Sequence, residues 1–448
     1  MIQGVIWKQI LSFFFPILIG VFFQQLYNTV DAVVVGNFAG KEALASVGGS
    51  SGQIVGFIFS FFMGLSTGAT VIIAQSYGAG RTGEVDDALH TAYAFALAGG
   101  VMLGGLGIVF TKPFLRLLRT PENLMANSAA YVRILLAGLV FTLIYNMGSG
   151  ILRAVGDSKR PLYTLIACCG LNTVLDVIFV AVLRMGVIGA ALATVICQAF
   201  SAVVVTWILA RKAEGMELSL SRLRIIPATL AQILRIGLPT ALAGSMFSIS
   251  NMILQVAVNR MGIDTVAAWT AYGKVDSLWW MINQAFSTSI TTFVGQNYGA
   301  GRPDRVTKGI REVLAMEIAS AAVVTTLFIT FGSHLLRLFT SDSAVVELGM
   351  QLARLLTPFY AVYAISEITG AALRAEGYVF VNTVANLIGV CLYRIIWVKL
   401  IFPQGTMRQI MACYPISWTL ITIFIAGYYL LKQKSILAKI ERSGEEYV

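Results

Sequence analysis

Four oxygen-bearing side chains stand out because they fall inside apolar stretches: Asp31, Asn172, Asp176 and Thr194. An ionisable group in such a stretch is costly in lipid and marks a functional position. Asn172 and Asp176 are four residues apart, so on a helix they share one face. Asp31 comes six residues before Asn37, Asp176 eight before Arg184, and Thr194 seven after Val187. At about 1.5 Å rise per residue, each lies roughly 9–12 Å below the outer membrane boundary. Asn172 is one turn deeper. Two carboxylates, an amide and a hydroxyl at one level can hold a hard cation such as Na⁺ through oxygen. They can equally share one proton, because neighbouring carboxylates resist being charged together. The competing reading is two isolated packing groups, each bonded to a donor on a neighbouring helix.

Other chemistries find no support. There is no Ser-His-Asp set, phosphate-binding loop or HExxH motif, so no enzyme is expected, and no cofactor. With no ATPase module, active transport would draw on an ion gradient. Cys168, Cys169, Cys197, Cys391 and Cys413 lie in apolar runs without metal-type spacing and read as small buried hydrophobes. His90 and His334 sit near span ends in opposite halves. No metal is expected beyond Na⁺ at the coupling site.

The elements that must position these residues are membrane spans. Hydrophobic residues make up 57% of the 448 and charged ones 12%, with a mean hydropathy of +0.78. Such a chain cannot hide its apolar surface in a water-soluble core. A helix needs about 20 apolar residues to cross a bilayer, and backbone groups in lipid must be bonded internally. Spans are expected near 10–36, 46–75, 88–110, 131–152, 161–183, 187–210, 230–258, 266–296, 310–332, 345–373, 378–402 and 408–431. The fold class is thus an all-α integral membrane protein with twelve transmembrane helices.

The chain is also doubled. Tyr77-Gly78-Ala79-Gly80-Arg81 returns 221 residues later as Tyr298-Gly299-Ala300-Gly301-Arg302, and Leu152-Arg153-Ala154 returns as Leu373-Arg374-Ala375. Pro16 pairs with Pro239, and Asn28 with Asn251, at an offset of 223. Six spans in each half put the halves in the same orientation, as parallel repeats. The domains are then 1–210, a six-helix bundle; 211–229, a basic linker; 230–431, a second bundle; and 432–448, a short, charged, frayed tail. Loop charges favour both termini inside, with Lys8, Arg81, Lys159, Arg211, Lys212, Arg302, Arg305 and Lys432 among the inner cations. The net charge of +10 is then a topology signal and an anionic-lipid footprint, and no soluble basic domain is present to bind nucleic acid.

Several further residues carry expectations. Pro16 and Pro239 lie inside the first and seventh spans and serve as hinges, since proline removes a backbone bond and bends a helix. The glycines of the repeated turns end helices rather than cradle phosphate. Lys274 and Asp276 do not face each other, and Arg394 is a partner for Asp276 on chemistry alone. Tyr27, Asn28, Tyr145, Asn146, Met147 and Glu367 are candidates for a substrate cavity, with Phe22, Phe57, Trp269, Trp279 and Trp280 as further aromatic wall. Aromatic walls with a few acids suit amphiphilic organic cations.

The whole chain resembles the multidrug and toxic compound extrusion (MATE) family of secondary transporters. The resemblance rests on Pro16 followed by Asp31 and Gly36, the two Tyr-Gly-Ala-Gly-Arg turns, Leu152-Arg153-Ala154-Val155-Gly156-Asp157, Asn172-Thr173-Val174-Leu175-Asp176, and Thr194. It implies two six-helix bundles around a central V-shaped cavity, with alternating access driven by Na⁺ or H⁺. It also implies that Asp31, Asn172, Asp176 and Thr194 are the cation or proton site of the first bundle. Some members carry acids on the seventh and tenth helices. Here the seventh span has none, and Tyr363 stands at the tenth-helix acid position with Glu367 one turn on. The expected function is cation-coupled drug antiport by a monomer in the inner (cytoplasmic) membrane. The alternatives are a flippase of lipid-linked or polar head-group substrates with a related two-bundle fold, and a passive channel.

Overall fold

The computed structural model describes residues 1–118, 120–211, 216–401 and 405–445, which are helical almost throughout and contain no β-strand. Lys212 of the linker and the last three residues of the tail lie outside that set. The rods follow the expected spans. They are α1 (Ile6–Val34), α2 (Ser50–Gly78), α3 (Thr82–Leu117), α4 (Glu122–Ala137 with Leu139–Ala154), α5 (Lys159–Asp176) and α6 (Gly186–Ala210). The second half supplies α7 (Pro227–Asn259), α8 (Ile263–Gly299), α9 (Pro303–Arg337), α10 (Ser343–Leu356 with Tyr360–Ala375), α11 (Val379–Asn386 continuing to Tyr393–Ile401) and α12 (Cys413–Glu445). Among the described residues nine helices are long and apolar enough to cross a membrane, and the bent pair of α4 makes a tenth. The other two rods are α8, which carries Lys274 and Asp276, and α10, which is interrupted at Thr357–Phe359 around Pro358.

Local sequence explains the irregularities. The pieces of α4 meet at 49°, at Gly138, where an added Cβ would come within 2.6 Å of Val195. The repeated turns close in the same way. Gly80 and Gly301 adopt φ of +71° and +63°, while Arg81 N–H reaches Ser76 O and Arg302 N–H reaches Asn297 O, both at 2.9 Å. That is a glycine-ended helix C-terminus, as expected from the sequence.

Packing divides the chain into two compact units. The first, Phe15–Ala241, holds α1 from Phe15 through α6 and the opening of α7. Its core runs through Ala69, Ile73, Leu89, Ala92, Ile151, Leu152, Ala190 and Val205. Close approach of α2 to the start of α7 depends on small residues, since a Cβ on Gly68 would fall 2.3 Å from the Ile233 carbonyl oxygen. The linker is tied to α3: Ser219 N–H donates to His90 Nε2 at 3.1 Å, and Arg224 pairs with Asp87 at 2.6 Å. His90 thus has a structural task in anchoring the linker.

The second unit joins Met1–Phe14 to the chain from Leu242 onward. Arg302 donates to the Ile2 carbonyl at 2.8 Å, and Arg305 to the Gly4 carbonyl at 2.9 Å, the Met1 carbonyl at 3.2 Å and Gln9 Oε1 at 3.1 Å. The segment expected as a frayed tail is instead helical to Glu445. Ile436 and Ile440, one turn apart, are both fully buried, and this apolar stripe keeps the helix docked. Asp276 also departs from expectation. Its carboxylate accepts from Tyr272 Oη at 3.2 Å, from Trp280 Nε1 at 2.8 Å and from Tyr360 Oη. Arg394 instead donates through Nε and Nη2 to Ser417 Oγ, both at 3.2 Å, and lies 4.1 Å over the Tyr414 ring. Three neutral donors surround the acid, and an aromatic face covers the base.

Candidate cation site in the first bundle

Two irregular turns prepare the site. Asp31 lies in the last turn of α1, just before the π-helical turn Val35–Ala39, and Asp176 ends α5 just before the π-helical turn Val177–Val182. The two π turns pack on each other. Such wide turns displace the helix ladder and recur at functional positions. Here they bring the ends of α1 and α5 together with the acids alongside.

Asp31 and Asp176 come near each other, Asn172 lies one turn before Asp176 on α5, and Thr194 lines the same cavity as Asp31. Asp176 and Asn172 are fully buried, and Asp31 is 9% exposed. The two carboxylates are near enough for their charges to act on each other, and Tyr131 feels both. Thr194 accepts from Tyr27 Oη at 3.0 Å, and both line a cavity with Asp31. The Asn172 amide stands beside the Cys197 thiol but makes no hydrogen bond of good geometry, and neither do Asp31 Oδ1 or either Asp176 oxygen. Buried polar atoms are almost always bonded, and an isolated buried carboxylate is strongly disfavoured. A group of orphaned oxygens on two acids and an amide fits a proton or a hard cation, which would be held by Asp31, Asp176, Asn172 and Thr194.

Asp31 opens onto a cavity of about 400 Å³ within the same unit, lined in part by Gln24, Tyr27, Asn28, Tyr131, Thr194 and Gln198. Two of the expected cavity residues, Tyr27 and Asn28, thus line it. Met147 is buried in the core, Asn146 is buried and donates to the Thr142 carbonyl at 2.9 Å, and Tyr145 is half-buried against the core. Glu367 lies in the other unit, bonded to Arg374 at 2.8 Å and to Ser287 at 2.7 Å. Pro16 and Pro239 sit inside continuous helices, each two residues from a boundary of the units, at Phe14 and Ala241. Trp279 is fully buried and stacks on Tyr360 at 4.8 Å, whereas Phe22 is half exposed. Sequence reasoning passed over Tyr131 and Gln198. Both are polar groups within apolar runs, the signal that found Asp31, but neutral groups give it more weakly.

Comparison with known proteins agrees with this architecture. The MatE family profile matches residues 16–178 and again 239–398. This protein belongs to the MATE family. Both matches begin at a repeat-related proline, so the family pattern occurs twice along the chain. The chain is 27% identical to a probable multidrug resistance protein, YoeA of Bacillus subtilis (strain 168), over 97% of this chain and 96% of that one. It is 30% identical to a second, YpnP of the same organism, over 86% of each. A solved MOP superfamily transporter from Pyrococcus furiosus shares the fold, with a TM-score of 0.89 at 22% identity over 97% of each chain. As a MATE protein, the chain is a multi-pass membrane transporter of small molecules, with two parallel six-helix repeats.

Proposed function

We propose that this MATE protein exports amphiphilic organic cations by alternating access, in exchange for Na⁺ or H⁺ bound at Asp31, Asn172, Asp176 and Thr194. It works as a monomer in the inner (cytoplasmic) membrane with both termini in the cytoplasm. The observation that carries the reading is the pair of buried carboxylates with unbonded oxygens, one of which, Asp31, lines a cavity in the first bundle. An arriving cation neutralises the acids that attract a cationic drug, so each ligand lowers the affinity for the other. Because such linkage is reciprocal, the ion gradient drives the drug outward. Pro16, between the Phe14 boundary and Asp31, lets α1 bend so that Asp31 moves relative to Asp176. The names of the Bacillus subtilis relatives, both multidrug resistance proteins, support drugs as cargo.

The test is uptake of a fluorescent organic cation into liposomes with Na⁺ and pH gradients imposed independently. Saturable flux that follows one of the two gradients is expected. Flux indifferent to both would remove the antiport reading, and unsaturable flux would favour a channel.

A further inference from the structure

The second bundle contains a carboxyl group that the proposed mechanism does not use. Glu317 lies on α9, 14 residues beyond Pro303, or roughly 21 Å along the helix from its inner end. It is fully buried. Asn283 of α8 donates to its Oε1 at 2.6 Å, and Oε2 has no partner. Across from it on α10 is a second acid, Glu367. That acid accepts from Arg374 Nη2 at 2.8 Å, Ser287 Oγ at 2.7 Å and Tyr363 Oη at 3.3 Å. Among the described residues Glu367 is the one charge that acts on Glu317, while α8 presents only the neutral amide.

The cluster therefore holds two carboxyls and one guanidinium. Arg374 and two hydroxyls satisfy Glu367, which bears the negative charge. Glu317 is left with one amide, a like charge nearby and a bare oxygen, a setting in which a buried carboxylate is disfavoured. A metal cation fits poorly, because Asn283 offers its N–H and hard cations need several oxygens. The repeat sharpens the point. At the 221 offset Arg374 matches Arg153 and Ser287 matches Ser66, but Glu367 matches Asn146, Asn283 matches Phe62 and Glu317 matches Ala96. The arginine belongs to the shared scaffold, and the second acid is an addition of this bundle.

We infer that Glu317 is a proton-binding site of the second bundle, carrying a proton on its carboxyl in this state and exchanging it with water as the Arg374–Glu367 pair rearranges. It is separate from the coupling set in the first bundle and does not depend on it. The test is pH-difference infrared spectroscopy of the full-length protein in lipid nanodiscs, without drug or gradient. In a Glu376→Val background, which removes another buried acid, a protonated-carboxyl band is expected in the parent, lost in Glu317→Gln and retained in Asp31→Asn. Substitution of Na⁺ for K⁺ at constant pH should leave it unchanged. Should Glu317→Gln not fold, Asn283→Leu removes the one donor to the carboxylate and should move loss of the band to higher pH. A band unaltered by Glu317→Gln, or unmoved by Asn283→Leu where only that variant folds, overturns the proposal. Removal of the band by Na⁺ overturns it in favour of a metal-ion site. Failure of antiport in liposomes would leave this result untouched, so the two readings stand or fall separately.

Discussion

The two bundles share their corners and differ in their charges. Gly80 and Gly301, Arg153 and Arg374, Pro16 and Pro239 hold equivalent places. Acids do not. In the first bundle Asp31 and Asp176 stand without any cationic partner among the described residues, and Asp31 borders a cavity. In the second, Asp276 is wrapped by three aromatic donors and Glu367 is locked to an arginine. A duplicated scaffold can thus keep its turns and diverge in its interior, because turns are constrained by backbone geometry while a buried side chain needs only a suitable neighbour.

The sharpest way to break this comparison is to remove the acids of the first bundle. Asp31→Asn or Asp176→Asn should lower gradient-driven efflux by roughly tenfold or more, within the range of ordinary site-to-site coupling, at unchanged expression and fold. Normal efflux in both would end the assignment of coupling to this bundle. Next in size is the buried ion pair. Arg374→Leu leaves Glu367 without its counter-ion and should destabilise the protein by about 3–5 kcal/mol. Arg153→Leu, where the position matching Glu367 is Asn146 rather than an acid, should lose clearly less, as read by thermal unfolding in detergent. Equal losses would mean that Glu367 adds nothing to the shared arginine.

Glu376 gives a comparison in pH. This acid, in the turn after α10, is 2% exposed with neither oxygen bonded, and its repeat mate is Val155. Burial raises its carboxyl from 4.5 to about 8. The folded protein therefore keeps a proton that the unfolded chain gives up between those values. Stability falls as pH rises through that window and levels off above it. Glu376→Val should have a higher Tm than the parent at about pH 8.5, a difference that closes by about pH 5. A difference constant in pH would show that Glu376 is ionised throughout. The hinge comparison comes next: Pro16→Ala should slow transport without changing ion dependence, and intact flux would dismiss the bend. Smallest are Gly80→Ala and Gly301→Ala, each expected to lose about 1–2 kcal/mol for a left-handed residue, and to lose it equally in urea or heat.

Much of this was legible in the chain. Repeated turns need glycine at a fixed φ, so they survive as readable words, and most of the spans announce themselves by length and apolarity, α8 and α10 less so. Asp31 and Asp176 were visible because a charge inside such a run is costly. Glu317 has the same character but sits in Val313-Leu314-Ala315-Met316-Glu317, close to a helix start rich in charges, where an acid reads as surface. The partners of Asp276 were hidden for another reason. Charge alone proposed Arg394, whereas Tyr272, Tyr360 and Trp280 won because packing brought three donors to the same oxygens. The helix to Glu445 was missed since Ile436 and Ile440 are too few to register beside the lysines around them.

The docking of residues 1–14 with the later half has a consequence for biosynthesis. The carbonyls of Ile2 and Gly4 find their donors on Arg302 and Arg305, 300 and 301 residues downstream. At the usual elongation of about 5–20 residues per second, that interval is roughly 15–60 s. During it the start of the first helix is exposed without its final neighbours, so the nascent chain is vulnerable to proteases and open to chaperones until the start of the ninth helix emerges.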